Sequence, residues 1–303
     1  MISLAPFKYR RVTSDTGGPI DRIAYRDIEI FGKPAVQATA FLKPGLNSFP
    51  WDKQLYGNAD GTGTHLSAQI ARYMAVSESM ERWAFYESHW SDRASTYGFD
   101  VDPTTNGMSA YPGVLARQAR KKARMEAIER HAVTNWWEGL LPIQHFNTGL
   151  AGVYGFEIKH AFGNAAVVVL WHEFEIQGRV HYAYGFASDE NRSGAVWKAT
   201  IELDRNIHVL RNFHQADGSA NLDQYTRLND FTERRAVFFG SQEGFELFQD
   251  RMMQQPTGSP VEPEVLYDGE ITGPWSNFAT VWRVAFKPAS QAYLDPNEMY
   301  FIF

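Results

Sequence analysis

Two short stretches of the sequence place carboxylates where they can act together. Tyr73 to Glu87 reads YMAVSESMERWAFYE, and Lys122 to Glu138 reads KARMEAIERHAVTNWWE. Each contains Glu-x-x-Glu-Arg: Glu78, Glu81 and Arg82 in the first, Glu126, Glu129 and Arg130 in the second, 48 residues further on. On a helix, residues three and four apart share a face, so each motif gathers two carboxylates and one guanidinium on one side. One arginine offsets one charge, and the remaining carboxylate calls for another cation. Hard carboxylate oxygens at this spacing suit Mg2+, which commonly arrives with nucleotide phosphates. The competing explanation is two ordinary helices with Glu–Arg pairs.

Such chemistry needs elements to hold it. The sequence predicts a first helix over residues 66–90, entered from a glycine-rich turn at Gly57–His65 (GNADGTGTH). A linker, YGFDVDPTTNGMSAYPG, leads to a second helix over 114–137, and a third is expected over 193–212. KPAVQATAFLKPG, Ala165–Trp171, Val180–Ala187 and Phe278–Pro288 read as strands, and Gln254–Glu264 as a loop. The expected architecture is a single α+β domain over residues 1–303, with mixed or antiparallel sheets and three long buried helices.

Helical projection at about 100° per residue places Glu126 and Arg130 on the apolar stripe of Leu115, Ala119, Ala123, Val133 and Trp137, with Glu129 at its edge. Arg117, Arg120, Lys121 and Arg124 fall on the opposite side. In the first helix, Ile70, Tyr73, Met74, Val76, Met80, Trp83 and Phe85 wrap most of the circumference, and Glu81 projects between Ile70 and Met74. In the third, Glu202 and Asn206 line the edge of the Val196–Ala199–Leu203–Ile207–Leu210 stripe. Burying an ionised carboxylate costs several kcal/mol (roughly) unless a cation compensates it. Residue pattern alone leaves both an acidic metal or nucleotide site and buried structural ion pairs open.

Composition removes other classes. With no cysteine, disulfides, Cys-bearing zinc sites and thiol nucleophiles are excluded. A net charge of −6 argues against nucleic-acid binding by bulk charge. The uncharged stretch Ala161–Trp171 is too short to span a bilayer, and the N-terminus lacks the order of a signal peptide, so a cytoplasmic protein is expected. WHEFE (Trp171–Glu175) misses His-Glu-x-x-His because Ile176 follows it, and it falls on an expected strand. His131, His208 and His214 read as ordinary helix or surface residues, Arg283 as a structural partner, and Trp136 and Trp137 as core.

Taken together, these segments resemble the YcaO family over most of the chain. DGTGTH and MAVSESMER are similar to the family's glycine-rich turn and its Ser-x-x-x-Glu-x-x-Glu-Arg helix. GMSAYPGVLARQARKKARMEAIERHAVTNWW is similar to the second Glu-x-x-Glu-Arg segment with its tryptophan pair. AVWKATIELDRN resembles the third signature, with Glu202 as its glutamate, and VWRVAFKPA resembles a late strand followed by proline. The chain departs from the family at Thr62 (lysine), Met74 and Ala195 (serines), His131 (aspartate) and Asn206 (glutamine), and its LDPNEMYFIF segment is not proline-rich.

The resemblance implies an ATP- and Mg2+-dependent enzyme. Such enzymes activate a backbone amide of a ribosomally made precursor peptide, giving an azoline, thioamide or amidine. It implies Glu78, Glu81 and Glu202 as metal ligands, with Arg82 and Asn206 beside them at the nucleotide, and Glu126, Glu129 and Arg130 as a second layer. It names no catalytic residue. A partner protein for leader-peptide capture is expected, as is a homodimer. Two rivals remain. One is a non-catalytic scaffold or binding subunit of a peptide-modifying complex, and the other is a metal-dependent phosphotransferase or hydrolase of small molecules.

Overall fold

Two-residue turns close the chain's long hairpins. The computed structural model describes residues 3–46, 55–57, 59–89, 93–97, 106–113, 115–216 and 228–302; Trp90 and residues 98–105 of the expected linker lie outside them. The strands β1 (Ile20–Ile30) and β2 (Lys33–Leu42) are joined through Phe31 and Gly32, both at positive φ. Gln177 and Gly178 join β7 (Ala166–Ile176) to β8 (Arg179–Asp189) in the same way. Positive φ at both central residues is the turn whose twist matches that of paired strands.

The remaining elements are α1 (Ala5–Lys8), β3 (Gly61–His65), α2 (Ala68–His89), β4 (Asn106–Tyr111), α3 (Arg117–Trp137), β5 (Ile143–His145), β6 (Val153–Ile158), α4 (Arg192–Ala216), α5 (Phe231–Phe239), α6 (Gln242–Met253), β9 (Val265–Glu270) and β10 (Thr280–Phe286). The fold is α+β, as expected. Among the described residues the strands form three antiparallel sheets, ordered β1-β2-β3, β4-β10-β9 and β5-β6-β7-β8.

The chain divides into two compact units. The first comprises Met1–Asp52, Asn58–Ala127 and Glu264–Lys287; the second comprises Lys53–Gly57, Ile128–Pro263 and Pro288–Phe303. In the first, α2 packs on β2 and β3, and Trp83 meets Trp275 edge-on at 5.6 Å in a core with Tyr9, Met80 and Val281. In the second, α4 packs on β7 and β8. Trp136 lies 4.8 Å from Phe156 and 5.7 Å from Phe248 between ring centroids, while Trp137 stacks on Phe301 at 5.5 Å. Both tryptophans are core residues, as their composition suggested.

Three expectations need correction. GTGTH is not a turn but strand β3. Its glycines are there for close approach: a Cβ on Gly61 would overlap the carbonyl oxygen of Ala75, and one on Gly63 that of Ala71. Leu115 precedes α3 and is 70% exposed, so it is not part of the buried stripe. Helix α2 is not buried all round. Ile70 and Met74 are 43% and 41% exposed, and the side that carries Glu81 is partly open to water.

The close approach recurs in the second unit, where a Cβ on Gly185 of β8 would overlap the carbonyl of Ala199 in α4. Gly185→Ala is therefore expected to lower stability by about 2 kcal/mol or more, because neither backbone can retreat. Gly178→Ala, with open space around it, is expected to lose only the left-handed turn preference, about 1 kcal/mol. Urea unfolding of both variants measures the contrast.

Candidate functional site

Three strand–helix pairs are built to one local plan. In each, a glycine on the strand touches helix backbone, and a glutamate on the helix accepts a hydrogen bond from the next N–H of that strand. Thr62 N–H donates to Glu78 Oε2 at 2.9 Å, Met108 N–H to Glu126 Oε2 at 2.9 Å, and Phe186 N–H to Glu202 Oε2 at 3.3 Å. The glycines are Gly61, Gly107 and Gly185, and they press on Ala75, Ala123 and Ala199, each three residues before the glutamate. Another alanine, Ala71, Ala119 or Ala195, lies one turn earlier, and all six alanines are fully buried. β3, β4 and β8 are each the last strand of their sheet, so the carboxylate satisfies an N–H on a free edge. A hydrogen bond of this charge-assisted kind is worth roughly 1.5–3 kcal/mol.

The first glutamate of each motif is thus anchored, and the residues three and four positions later complete the same face. On α2, Glu78 Oε1 lies 3.5 Å from Arg82. Burial works against the Arg82 charge, but Tyr86, Glu78 and Glu81 outweigh it and raise the guanidinium above its ordinary range. Burial in turn pushes the Tyr86 phenol up to about 12, against the lowering effect of Arg82. Tyr86, four residues after Arg82, joins a group in which the sequence motif shows only Glu78, Glu81 and Arg82.

In the second unit, Glu202 keeps company with Glu129, Arg130 and Arg205. Burial and then the Glu129 carboxylate raise its carboxyl to about 8, while Arg205, the Phe186 N–H and Arg130 pull the other way. Asn206 donates its side-chain amide to the Tyr184 carbonyl at 2.7 Å. It also lines a small cavity with Tyr56, Tyr184, Leu210 and Ala236, roomy enough for about one water. Tyr56 had no sequence signal, because it lies in a short segment far from any Glu-x-x-Glu-Arg motif. The pattern Ala-x-x-x-Ala-x-x-Glu, present three times, is the signal that would have tied α4 to α2 and α3.

His131 is buried and its Nε2 lies 2.8 Å from the Val261 carbonyl oxygen, a core role rather than a surface one. Arg283 is fully buried on β10. His172 of WHEFE sits on β7 with Nδ1 2.8 Å from the Gly152 carbonyl, in keeping with a structural reading. No three His, Asp or Glu side chains among the described residues converge as a ready-made metal cluster. Carboxylates anchored in this way instead fit the habit of Mg2+, which takes one or two carboxylates and completes its shell with phosphate and water. No helix among the described residues is long and apolar enough to cross a membrane.

No known family profile matches the chain, and no curated protein sequence does either. Solved structures do. The Escherichia coli microcin synthetase McbBCD complex with pro-MccB17 bound is similar at a TM-score of 0.57 and 11% identity, over 88% of this chain and 87% of that one. A heterocyclase in complex with substrate and cofactor is similar at 0.54 and 10% identity, over 92% of this chain and 51% of that one. YcaO from Methanopyrus kandleri, bound with AMPPCP and Mg2+, aligns over 91% of this chain and 88% of that one at 0.49 and 14% identity. The chain shares its fold with the microcin synthetase complex and the heterocyclase.

Glu202 provides a pH test. Its proton is held more tightly in the folded chain than in the unfolded one, where a glutamate titrates near 4.5. The associated stability is complete below that value and is lost as pH rises through about 8. The full effect is on the order of a few kcal/mol. Thermal unfolding without divalent cations is expected to show wild-type stability falling between about pH 4.5 and 8. Glu202→Gln keeps an acceptor for the Phe186 N–H but does not titrate, and its profile is expected to be flatter.

Proposed function

We propose that this chain is an ATP- and Mg2+-dependent enzyme that activates a backbone amide of a ribosomally made peptide, giving an azoline, thioamide or amidine. The observation that carries the reading is the Glu202 carboxyl, anchored through Oε2 to the Phe186 N–H and set in surroundings where burial and the Glu129 charge disfavour its ionised form. Such a position gains most from an incoming cation. Its setting in a YcaO-like fold, on the third of three repeated strand–helix pairs, supports the assignment.

Glu78 and Glu81 on α2, and Glu202 on α4, serve as ligands of Mg2+ and its phosphates. Arg82, held charged by its carboxylate and phenol neighbours, offers a guanidinium to phosphate, and Asn206 shapes the wall beside Glu202. Glu126 is the anchor of α3 on β4, and Glu129 and Arg130 tune Glu202. Mg–ATP, when bound, supplies the phosphoryl group that turns an amide oxygen into a leaving group. The partners of this reading are a precursor peptide and a leader-capturing protein, in a cytoplasmic setting.

One observation favours a second reading, a non-catalytic subunit of a peptide-modifying complex. Ala195 is fully buried against its strand, and the Asn206 amide is engaged by a backbone carbonyl, so two positions polar in the family offer little to a nucleotide.

Titration calorimetry with a non-hydrolysable ATP analogue separates the two. Mg2+-dependent binding is expected, weakened at least about tenfold in Glu81→Gln and Glu202→Gln, the scale of one lost charged contact. Folded wild-type protein that takes up no nucleotide would remove the enzyme reading and leave the scaffold.

A further inference from the structure

We infer that the open edge of β1 takes an added strand from another polypeptide, an extended segment with basic side chains on one face and acidic ones on the other. The inference is independent of the nucleotide reading above.

Hairpin geometry fixes which groups β1 offers. A two-residue turn with positive φ at both positions closes on a hydrogen-bonded pair, here Ile30 and Lys33. Pairs then alternate along the ladder. Glu29, Asp27, Tyr25 and Ile23 fall in the non-bonded pairs and turn their N–H and C=O groups away from β2. Pro34, opposite Glu29, has no N–H to give and agrees with that phase. Among the described residues none of these outward groups has a hydrogen-bond partner.

Strand β8, also 11 residues long and last in its sheet, shows the contrast. Its outward groups are taken one after another. The Tyr182 N–H donates to the Gly240 carbonyl at 3.1 Å and the Phe186 N–H to Glu202 at 3.3 Å; the Tyr184 carbonyl accepts from Asn206 at 2.7 Å and the Ser188 carbonyl from Lys198 at 3.0 Å. On β1 the chain covers only the start of the edge, where the Ile20 N–H donates to the Val12 carbonyl at 2.9 Å and Thr13 forms a parallel bridge. From Arg22 to Glu29 the strand is largely exposed, Tyr25 by 51%. An open edge of that length is a template for another strand.

Charge decides which strand. Alternate side chains lie on opposite faces, so Tyr25, Asp27 and Glu29 share one face, and Arg22 and Arg26 the other. The arginines are steadied from β2, Arg22 over the Phe41 ring at 3.5 Å and Arg26 on the Gln37 Oε1 at 3.4 Å. Asp27 and Glu29 have no side-chain hydrogen bond or ion pair among the described residues. An antiparallel second copy, bonded through the same outward groups, would set odd-numbered residues opposite odd-numbered ones. Every register then gathers the carboxylates of both copies on one face and the arginines of both on the other, and like charges opposite each other are unfavourable. The edge therefore rejects its own kind and stays open to a strand of the reverse pattern.

The probe is the octapeptide amide Lys-Val-Lys-Glu-Val-Thr-Val-Glu with fluorescein at its N-terminus, read by anisotropy. Antiparallel pairing sets its lysines opposite Glu29 and Asp27 and its glutamates opposite Arg26 and Arg22. Saturable binding is expected, at least about tenfold tighter than that of the charge-swapped peptide Glu-Val-Glu-Lys-Val-Thr-Val-Lys. Asp27→Lys/Glu29→Lys is expected to erase the preference with an unchanged melting temperature. N-methylation of the third, fifth and seventh residues, whose N–H groups face β1, is expected to abolish binding, and of the second, fourth and sixth to spare it. No saturable binding of the matched peptide up to about 1 mM would overturn the inference, as would equal binding of the charge-swapped peptide or of the form methylated toward β1. Self-association of the protein alone that Tyr25→Pro abolishes would give the edge to a second copy and overturn it too.

Discussion

Backbone against backbone is the contact from which the site derives. At Gly61, Gly107 and Gly185 the strand has no side chain between it and the helix, and the helix presents alanines at matching positions. The helix axis then lies close enough for a glutamate one turn on to reach an N–H on the edge of the sheet. A longer separation would leave that donor to water and the carboxylate with no fixed position. The choice of glycine and alanine, usually weak in packing terms, is here a geometric requirement of the carboxylate–backbone bond.

That bond explains how a chain keeps so many acids on partly covered helices. Each anchored glutamate has a fixed donor on the neighbouring strand, which holds its carboxyl in one position. The charge that follows on the same face, Glu81 or Glu129, is the one set against its surroundings. In the first unit Arg82 and Tyr86 absorb it; in the second the balance is incomplete, and Glu202 holds a proton. Thr62 enters this plan through its backbone N–H.

The sequence was most legible where periodicity was long. The three long helices fall within a few residues of their expected limits, because 20 or more residues of pattern average out local exceptions. The four anticipated strands are present. Strands β3 and β4 were hidden for one reason: glycines that read as turn formers serve contact instead, and that function depends on a partner distant in sequence. Glu78, Glu126 and Glu202 were recognisable by spacing, but their bonds to strand donors were not, since nothing local encodes which N–H is unpaired. Tyr56 was invisible because its place is set by Glu233, 177 residues away.

The C-terminal stretch has a consequence for how the molecule comes to exist. Arg235 donates to the Asp295 and Glu298 carbonyls at 3.0 Å, Tyr300 donates to Glu138, and Phe301 sits among Trp136, Trp137 and Phe248. The other unit needs β10, residues 280–286, between β4 and β9. Neither unit can complete its core before residues 280–301 have joined it. Each unit is thus closed by a segment far along the chain from the helices it covers, and contacts of long sequence separation must form before either core is complete, a topology that slows folding.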